Sequence, residues 1–547
     1  MQIPTTSTTA ITITKNEDGS QTIEQGGDKW TDKAGEETVI TTSNTVITTL
    51  ESDLEGPAAE DSDFGPVVED NYQSAQPEDA EEPKDADQPE SAEEPKSSDR
   101  QESADQQAAP AAAPAGATPV NPKDDGFWGN TITVINNIAD KVLNLTLKDV
   151  KIDVSDTGGD NFEFEDDQIG KAALSVEGKG NVEIELDGNN ELKSGASKAG
   201  LEKTSTGKLT LKDDNNEAGS LTATGGASAA GIGGGRDGKG ENITITGGTV
   251  NATGNEDGAG IGGGSSGSGE NITINGGEVT ASGGDNWDDC GAGIGGGNGS
   301  DGENITINGG SVTATGGSYA AGIGGGSVGF WGGESGSGKN ITINGGTVNA
   351  TGTDGGAGIG GGENGNGEDI TINGGKVNAS GAYGGAGIGG GVNGIGSKVT
   401  VSGAAQVTAT ATGSGPDWSG VGTGATIGNG GSKTPDGPVD GKEIQADISH
   451  LTTGYIHHII YNPDLDLDGK PDGILKEWWE FALPKPIPDG ESLDLHVETL
   501  KGAPLLFNTR QQGSTLRVTT DNLSARLHGT RQALETLQEQ GVEQIQF

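Results

Sequence analysis

The chain has 547 residues but only one cysteine and one methionine, and aromatic residues make up 4%. A single cysteine, Cys290, excludes an internal disulfide framework. No apolar run is long enough for a transmembrane helix. Positive charge is scarce: 32 Lys and Arg stand against 82 Asp and Glu, for a net charge of −50. Such a field makes nucleic acid and anionic membrane poor partners. Proline is missing between Pro122 and Pro416. That absence suits a stretch whose backbone N–H groups are mostly committed to β-ladders, because proline cannot donate. Met1–Trp30 lacks a basic start followed by an apolar stretch, so no secretory signal is visible.

What the chain has in abundance is glycine, 102 residues, without the Gly-X-Y period of collagen. Gly-Ile-Gly-Gly-Gly recurs at 231–235, 260–264, 293–297, 322–326, 358–362 and 387–391. Its isoleucines, Ile232, Ile261, Ile294, Ile323, Ile359 and Ile388, are 29, 33, 29, 36 and 29 residues apart. Asn271-Ile272-Thr273-Ile274-Asn275-Gly276-Gly277 travels with it and returns from Asn304, Asn340 and Asp369. Self-similarity at this period predicts a solenoid. Within 271–298, Ile272-Thr273-Ile274 and Val279-Thr280-Ala281-Ser282 alternate apolar and polar, as half-buried strands do. Ala292-Gly293-Ile294-Gly295 is a third short run, and Asn-Gly-Gly is a turn. Three strands and three turns make one coil of an all-β, right-handed parallel β-helix. Ile272, Ile274, Val279, Ala281, Ala292 and Ile294 should point inward, and Asn275, Asn308, Asn344 and Asn373 should stack in a ladder. The longer intervals carry insertions at Asp285–Asp288 and Gly329–Gly332, both between strands. Degenerate copies such as Leu145-Thr146-Leu147 and Leu209-Thr210-Leu211 bring the total to about nine coils, a rod of about 40–45 Å.

Around the solenoid, expected over 126–435, the chain divides into three further parts. Residues 1–50 are Thr/Ser-rich, a few strands or a loose stalk. Residues 51–125 hold 22 acidic residues against Lys84, Lys96, Arg100 and Lys123, a net of −18, with much Pro and Ala. That composition reads as a disordered linker. Residues 441–547 read as a small α+β C-terminal domain, with strand, strand, helix, strand over 513–547.

The outward strand positions form two rows. Asn251, Thr280, Thr313, Asn349 and Asn378 make one, and Thr253, Ser282, Thr315, Thr351 and Ser380 the other. Such rows suit a polysaccharide, an ice-binding array, or simply a solvated face on which Thr is favoured. The aromatic residues Trp287, Tyr319, Phe330, Trp331 and Tyr383 fall in the repeat's loops and are candidate ligand contacts, since such rings stack on sugars. Asp464, Asp466, Asp468 and Asp472 stand at relative positions 1, 3, 5 and 9 with Gly469 at 6, a spacing that wraps a loop around Ca²⁺; the Glu of an EF-hand at position 12 is missing, because Leu475 stands there. His457 and His458 read as strand residues. Gly258-x-Gly260-x-x-Gly263 has no helix after it and is no dinucleotide fingerprint.

The paired Gly-Ile-Gly-Gly-Gly and Asn-Ile-Thr-Ile-Asn-Gly-Gly array, with Val182-Glu-Ile-Glu-Leu-Asp-Gly-Asn-Asn-Glu-Leu-Lys-Ser-Gly195 before it, resembles β-helix modules of large surface proteins in clostridial-type Gram-positive bacteria. The resemblance covers about 130–430. It implies a pectate-lyase-like fold, carbohydrate binding and calcium, with the protein outside the cell or on its surface. No catalytic residue is assigned. A lyase would need a carboxylate cluster for Ca²⁺ and a base such as Arg, and Arg236 is the one arginine between 126 and 435. The expectation is therefore a non-catalytic, monomeric module that binds a plant or microbial polysaccharide, with a stalk or adhesin spacer as the alternative and a polysaccharide lyase a distant third.

Overall fold

The structure is a computed structural model. It describes residues 1, 9–42, 126–159, 169–215, 217–285, 290–328, 335–413, 421–463, 472–482, 495–505, 507–520, 524–539 and 541–547. The acidic segment 51–125 lies outside the described residues.

The alternation in the repeat has the effect expected of it. Ile272, Ile274, Val279, Ala281, Ala292 and Ile294 are all buried, while Thr273, Thr280 and Ser282 reach solvent. Each coil contributes one strand to each of three parallel sheets. Sheet I is built from the Gly-Ile runs. Ile232, Ile261, Ile294, Ile323, Ile359, Ile388 and Ile427 are paired in register from coil to coil. Sheet II stacks the Ile-Thr-Ile runs, as in Gly240–Ile245, Gly269–Ile274, Gly338–Ile343 and Gly367–Ile372. Sheet III stacks the Val-Thr-Ala runs, as in Thr249–Thr253, Glu278–Ser282, Ser311–Thr315 and Thr347–Thr351. Among the described residues, nine coils carry all three strands, from the one that opens with Ile132–Asn136 to the one that ends with Gln406–Thr412. Ile, Val, Leu and Ala columns from all three sheets form one continuous core.

Two details of the motif have a backbone cause. The glycine after each sheet I isoleucine holds positive φ, +141° at Gly262, and a Cβ there would lie 1.9 Å from the Gly295 carbonyl oxygen. Only glycine fits both constraints. The asparagine that opens each Asn-Ile-Thr-Ile run is left-handed as well. Asn242, Asn271, Asn304 and Asn340 have φ of 53–56°, and Asp369 and Lys398 hold the same position. Asn and Asp tolerate this conformation better than most side chains.

The ladders run past both expected solenoid boundaries. At the start, Ile11–Lys15 pairs in parallel with Ile132–Asn136 in sheet I, and Thr38–Ile40 pairs in parallel with Val142–Lys148 in sheet II. Residues 11–40 thus supply a partial coil ahead of residue 126, and Gln21–Gln25 and Asp28–Asp32 cover the sheet edge in antiparallel fashion. The chain leaves this coil after Thr42 and re-enters the solenoid at 126. Both points are tied to one residue. Lys151 N donates to Thr42 Oγ1 at 2.7 Å, and Trp128 N donates to Lys151 O at 2.9 Å. At the far end, Tyr455–Tyr461 adds in parallel to Gln406–Thr412 in sheet III, and Ile474–Phe481 turns back against it.

The C-terminal residues form a small α+β unit with its own core of Val497, Leu516, Val518, Leu537 and Val542. Thr515–Thr519 pairs in parallel with Gln544–Gln546, after the helix Arg531–Glu539. Gly541 has φ +79° just past the helix, the left-handed C-terminal residue its position predicts. The buried helix face is Ala533 and Leu537, four residues apart, whereas Leu534 is exposed.

Candidate functional site

The outer face of sheet III carries the two expected rows. Register places Asn251, Thr280, Thr313, Asn349 and Asn378 directly in line, with Thr222 before them and Thr408 after. Thr253, Ser282, Thr315, Thr351 and Ser380 form the parallel row, continued by Thr410. Neighbouring members sit one strand spacing apart, about 4.8 Å. Within the first row Asn378 Nδ2 donates to Asn349 Oδ1 at 2.8 Å. The side chains are short, so the face is flat.

Beside it, at the turn between sheets II and III, the asparagine ladder is present. Asn308 Nδ2 donates to Asn275 Oδ1 at 2.7 Å, Asn344 to Asn308 at 2.7 Å, and Asn373 to Asn344 at 2.8 Å. Ser402 Oγ closes the series on Asn373 Oδ1 at 2.7 Å. Asn308, Asn344 and Asn373 each donate one amide hydrogen to the preceding rung and keep another for solvent.

Of the five loop aromatics, Trp287, Phe330 and Trp331 lie outside the described residues. Tyr319 and Tyr383 are half-buried on the turns that leave sheet III, two coils apart, or about 10 Å. Both have positive φ, 66° and 45°. Carboxylates from neighbouring coils approach these turns. Ser318 Oγ donates to Asp285 Oδ1 at 2.8 Å and also bonds Asp354. Burial raises the Asp354 pKa above the usual carboxylate value, the Ser318 bond opposes the rise, and the Asp285 charge adds to it. Glu363 N donates to Tyr319 O at 2.8 Å. The Glu363 carboxyl is buried and its Oε2 has no hydrogen-bond partner, so burial pushes its pKa up to about 7. Cys290 is buried and bridged through its backbone to Ser327.

Asp464, Asp466 and Asp468 lie outside the described residues. Asp472 is exposed, and its N–H donates to Pro463 O at 3.4 Å. Among the described residues, no three His, Cys, Asp or Glu side chains gather as a metal site. Glu183 and Glu185, which alternation sets outward together, differ. Glu185 is buried under the 213–215 turn, where its Oε1 accepts the N–H groups of Asp214 and Asn215 at 3.0 and 3.1 Å. Lys212 lies 3.5 Å from it and 3.9 Å from Glu183, so this pair is part of the scaffold.

One group escaped the sequence reading. The sheet III rows end on the terminal hairpin, where Tyr455 and His457 stand in line with Gln406 and Thr408. Phe481 and Trp479 lie opposite them. The signal was available in Tyr455-Ile-His457-His-Ile459 and Trp479-Glu-Phe481, which alternate around a turn. They fall outside the repeat and outside its loops.

Six stretches of the chain, 217–236, 243–265, 272–298, 305–327, 341–363 and 370–392, match the beta helix repeat family. No curated protein and no solved structure matches the chain. With the three in-register sheets, the match makes the central part of the molecule a parallel β-helix. No helix among the described residues is long and apolar enough to cross a membrane.

Proposed function

We propose that the outer face of sheet III binds an extended polysaccharide without cleaving it, and that the protein works outside the cell or on its surface as a monomer. The observation that carries this reading is the pair of in-register rows of short hydroxyl and amide side chains on a flat, rigid sheet. A repeated ligand is matched by a repeated surface, and the coils offer the same donors and acceptors every strand spacing. The Asn275–Ser402 ladder adds a second polar line at the margin of that face. Tyr319 and Tyr383 stand at its other margin. The ladders hold the face in one geometry before any ligand arrives, which lowers the ordering cost of binding.

Ca²⁺ at Asp464, Asp466, Asp468 and Asp472 remains part of the proposal on sequence spacing alone. The stalk reading keeps support from the rigid coil stack.

The test is retention of the full chain on a panel of neutral and acidic polysaccharides, with Ca²⁺ and with chelator. Thr280→Lys with Asn349→Lys puts two long cations on the row about 10 Å apart. The wild type should be held by at least one polymer, and the double variant should lose at least about tenfold in affinity, or about 1.4 kcal/mol. No retention of the wild type on any polymer would sink the reading and leave the stalk.

A further inference from the structure

The terminal hairpin is more than an end cap. Tyr455, His457, Trp479 and Phe481 point to the outer face, because Ile456 and His458, which alternate with the first two, are buried. His457 and Trp479 are directly opposed on neighbouring strands. Their ring centroids are 3.7 Å apart and their planes differ by 6°. A face-to-face stack between directly opposed residues has its normal along the strand-to-strand direction. One face of Trp479 is therefore covered by His457, and the other looks over the sheet edge. That edge is open: among the described residues, Ile474–Phe481 pairs only with Tyr455–Tyr461. Trp479 and Phe481 alternate on one strand, with centroids 6.0 Å apart and planes within 5°. Rings spaced along a strand, with normals across it, lie side by side. Tyr455 braces Trp479 at 5.0 Å in a tilted contact. Trp479, alone of the four rings, keeps more than a third of its surface exposed, at 37%.

We propose that Trp479 and Phe481 form a stacking platform for the pyranose rings of an uncharged polysaccharide, at the end of the sheet III rows. This rests on the reading of sheet III as a glycan face, and it names both a contact site and a ligand class. Flat sugar faces of C–H groups pack on aromatic rings, and their equatorial hydroxyls need polar groups at the rim. The rim supplies them. Glu477 is exposed, with its Oε1 2.6 Å from His457 Nε2, so the carboxylate is held beside the rings with its second oxygen free to accept from a hydroxyl. A uronate polymer is disfavoured by Glu477 and by the net charge of −50. The one lysine of this strand, Lys476, points to the opposite face, where its Nζ lies 4.2 Å from the Trp478 ring. Strand addition by a second copy is disfavoured by the charges along the edge, Lys476, Glu477 and Glu480.

The experiment is affinity electrophoresis of the full chain through hydroxyethyl cellulose, galactomannan and polygalacturonate. It compares the wild type, Trp479→Ala, Trp479→Phe and the row variant Thr280→Lys/Asn349→Lys, with size-exclusion light scattering alongside. Trp479→Ala should weaken binding to a neutral polymer about five- to tenfold, and Trp479→Phe should restore most of it. If Trp479→Ala melts early, Trp479→Thr, a strand-favouring edge residue, replaces it. Unchanged retention of the Ala and Thr variants, with loss in the row variant, overturns the platform but leaves the glycan face standing. Retention on polygalacturonate alone overturns the uncharged ligand class. A dimer that dissociates on Trp479→Ala gives the site to a second copy and overturns the proposal. A wild type that binds nothing ends both readings.

Discussion

Glu363 and His458 are two residues at which burial and ionisation conflict. The Glu363 pKa is raised to about 7 from 4.5 by burial. Between these values the folded chain holds a proton that the unfolded chain gives up. Glu363 therefore costs nothing below pH 4.5 and destabilises increasingly as pH rises through 7. Glu363→Gln should raise stability at pH 8 by up to about 3 kcal/mol and change it little at pH 4, as thermal melts at the two pH values would record. His458 works in the other sense. Burial lowers its pKa to about 4 from 6.5, with the charges of His457 and Lys476 assisting. The unfolded chain then binds the extra proton, and stability falls as pH drops from 6.5 through 4. His458 ends the alanine column of sheet III, opposite Ala409, with its Nδ1 2.6 Å from Thr426 Oγ1 and its ring stacked on Trp478. None of this was legible in sequence, where His458 is one of two adjacent histidines and Glu363 an ordinary loop acid. Burial at a single position depends on the neighbouring coils, which one repeat does not display.

At the scale of strands and turns, the sequence was far more informative. A repeated alternation assigns inside and outside once and then reuses the answer, so the buried set of 271–298, the two outward rows and the Asn ladder all follow from one period. The role of the sheet I glycine was less plain, because composition alone suggests small size when the demand is positive φ and backbone contact. Gly262→Ala should accordingly cost more than a helix or strand propensity change. Left-handed strain alone is about 1–2 kcal/mol, and the overlap with the Gly295 oxygen adds to it. Urea unfolding should therefore show a loss above about 2 kcal/mol. Asn308→Ala, in an exposed ladder, should lose only about 0.5–1.5 kcal/mol. The hairpin aromatics were missed because the repeat ends before them, and a periodic argument has nothing to say where its period stops.

Across the whole molecule, the order of the parts differs from the order of the segments. Residues 11–40 belong to the solenoid, yet composition separates them from it by the acidic stretch. Ile11 and Ile13 are fully buried and paired with Ile132 and Val134. A protease site engineered into 51–125 and cleaved should therefore leave residues 1–42 bound to the remainder, co-eluting on gel filtration under native conditions. Removing residues 1–42 outright should lower the melting temperature by several degrees, since burying each large aliphatic is worth about 1.5–3 kcal/mol. Elution of the two cleaved pieces apart would contradict the pairing. The tie of Thr42 and Trp128 to Lys151 also has a mechanical meaning. Thr42 and Trp128 hang from Lys151 like the two legs of a shackle, so disturbing that one backbone position should loosen the start of the solenoid at both.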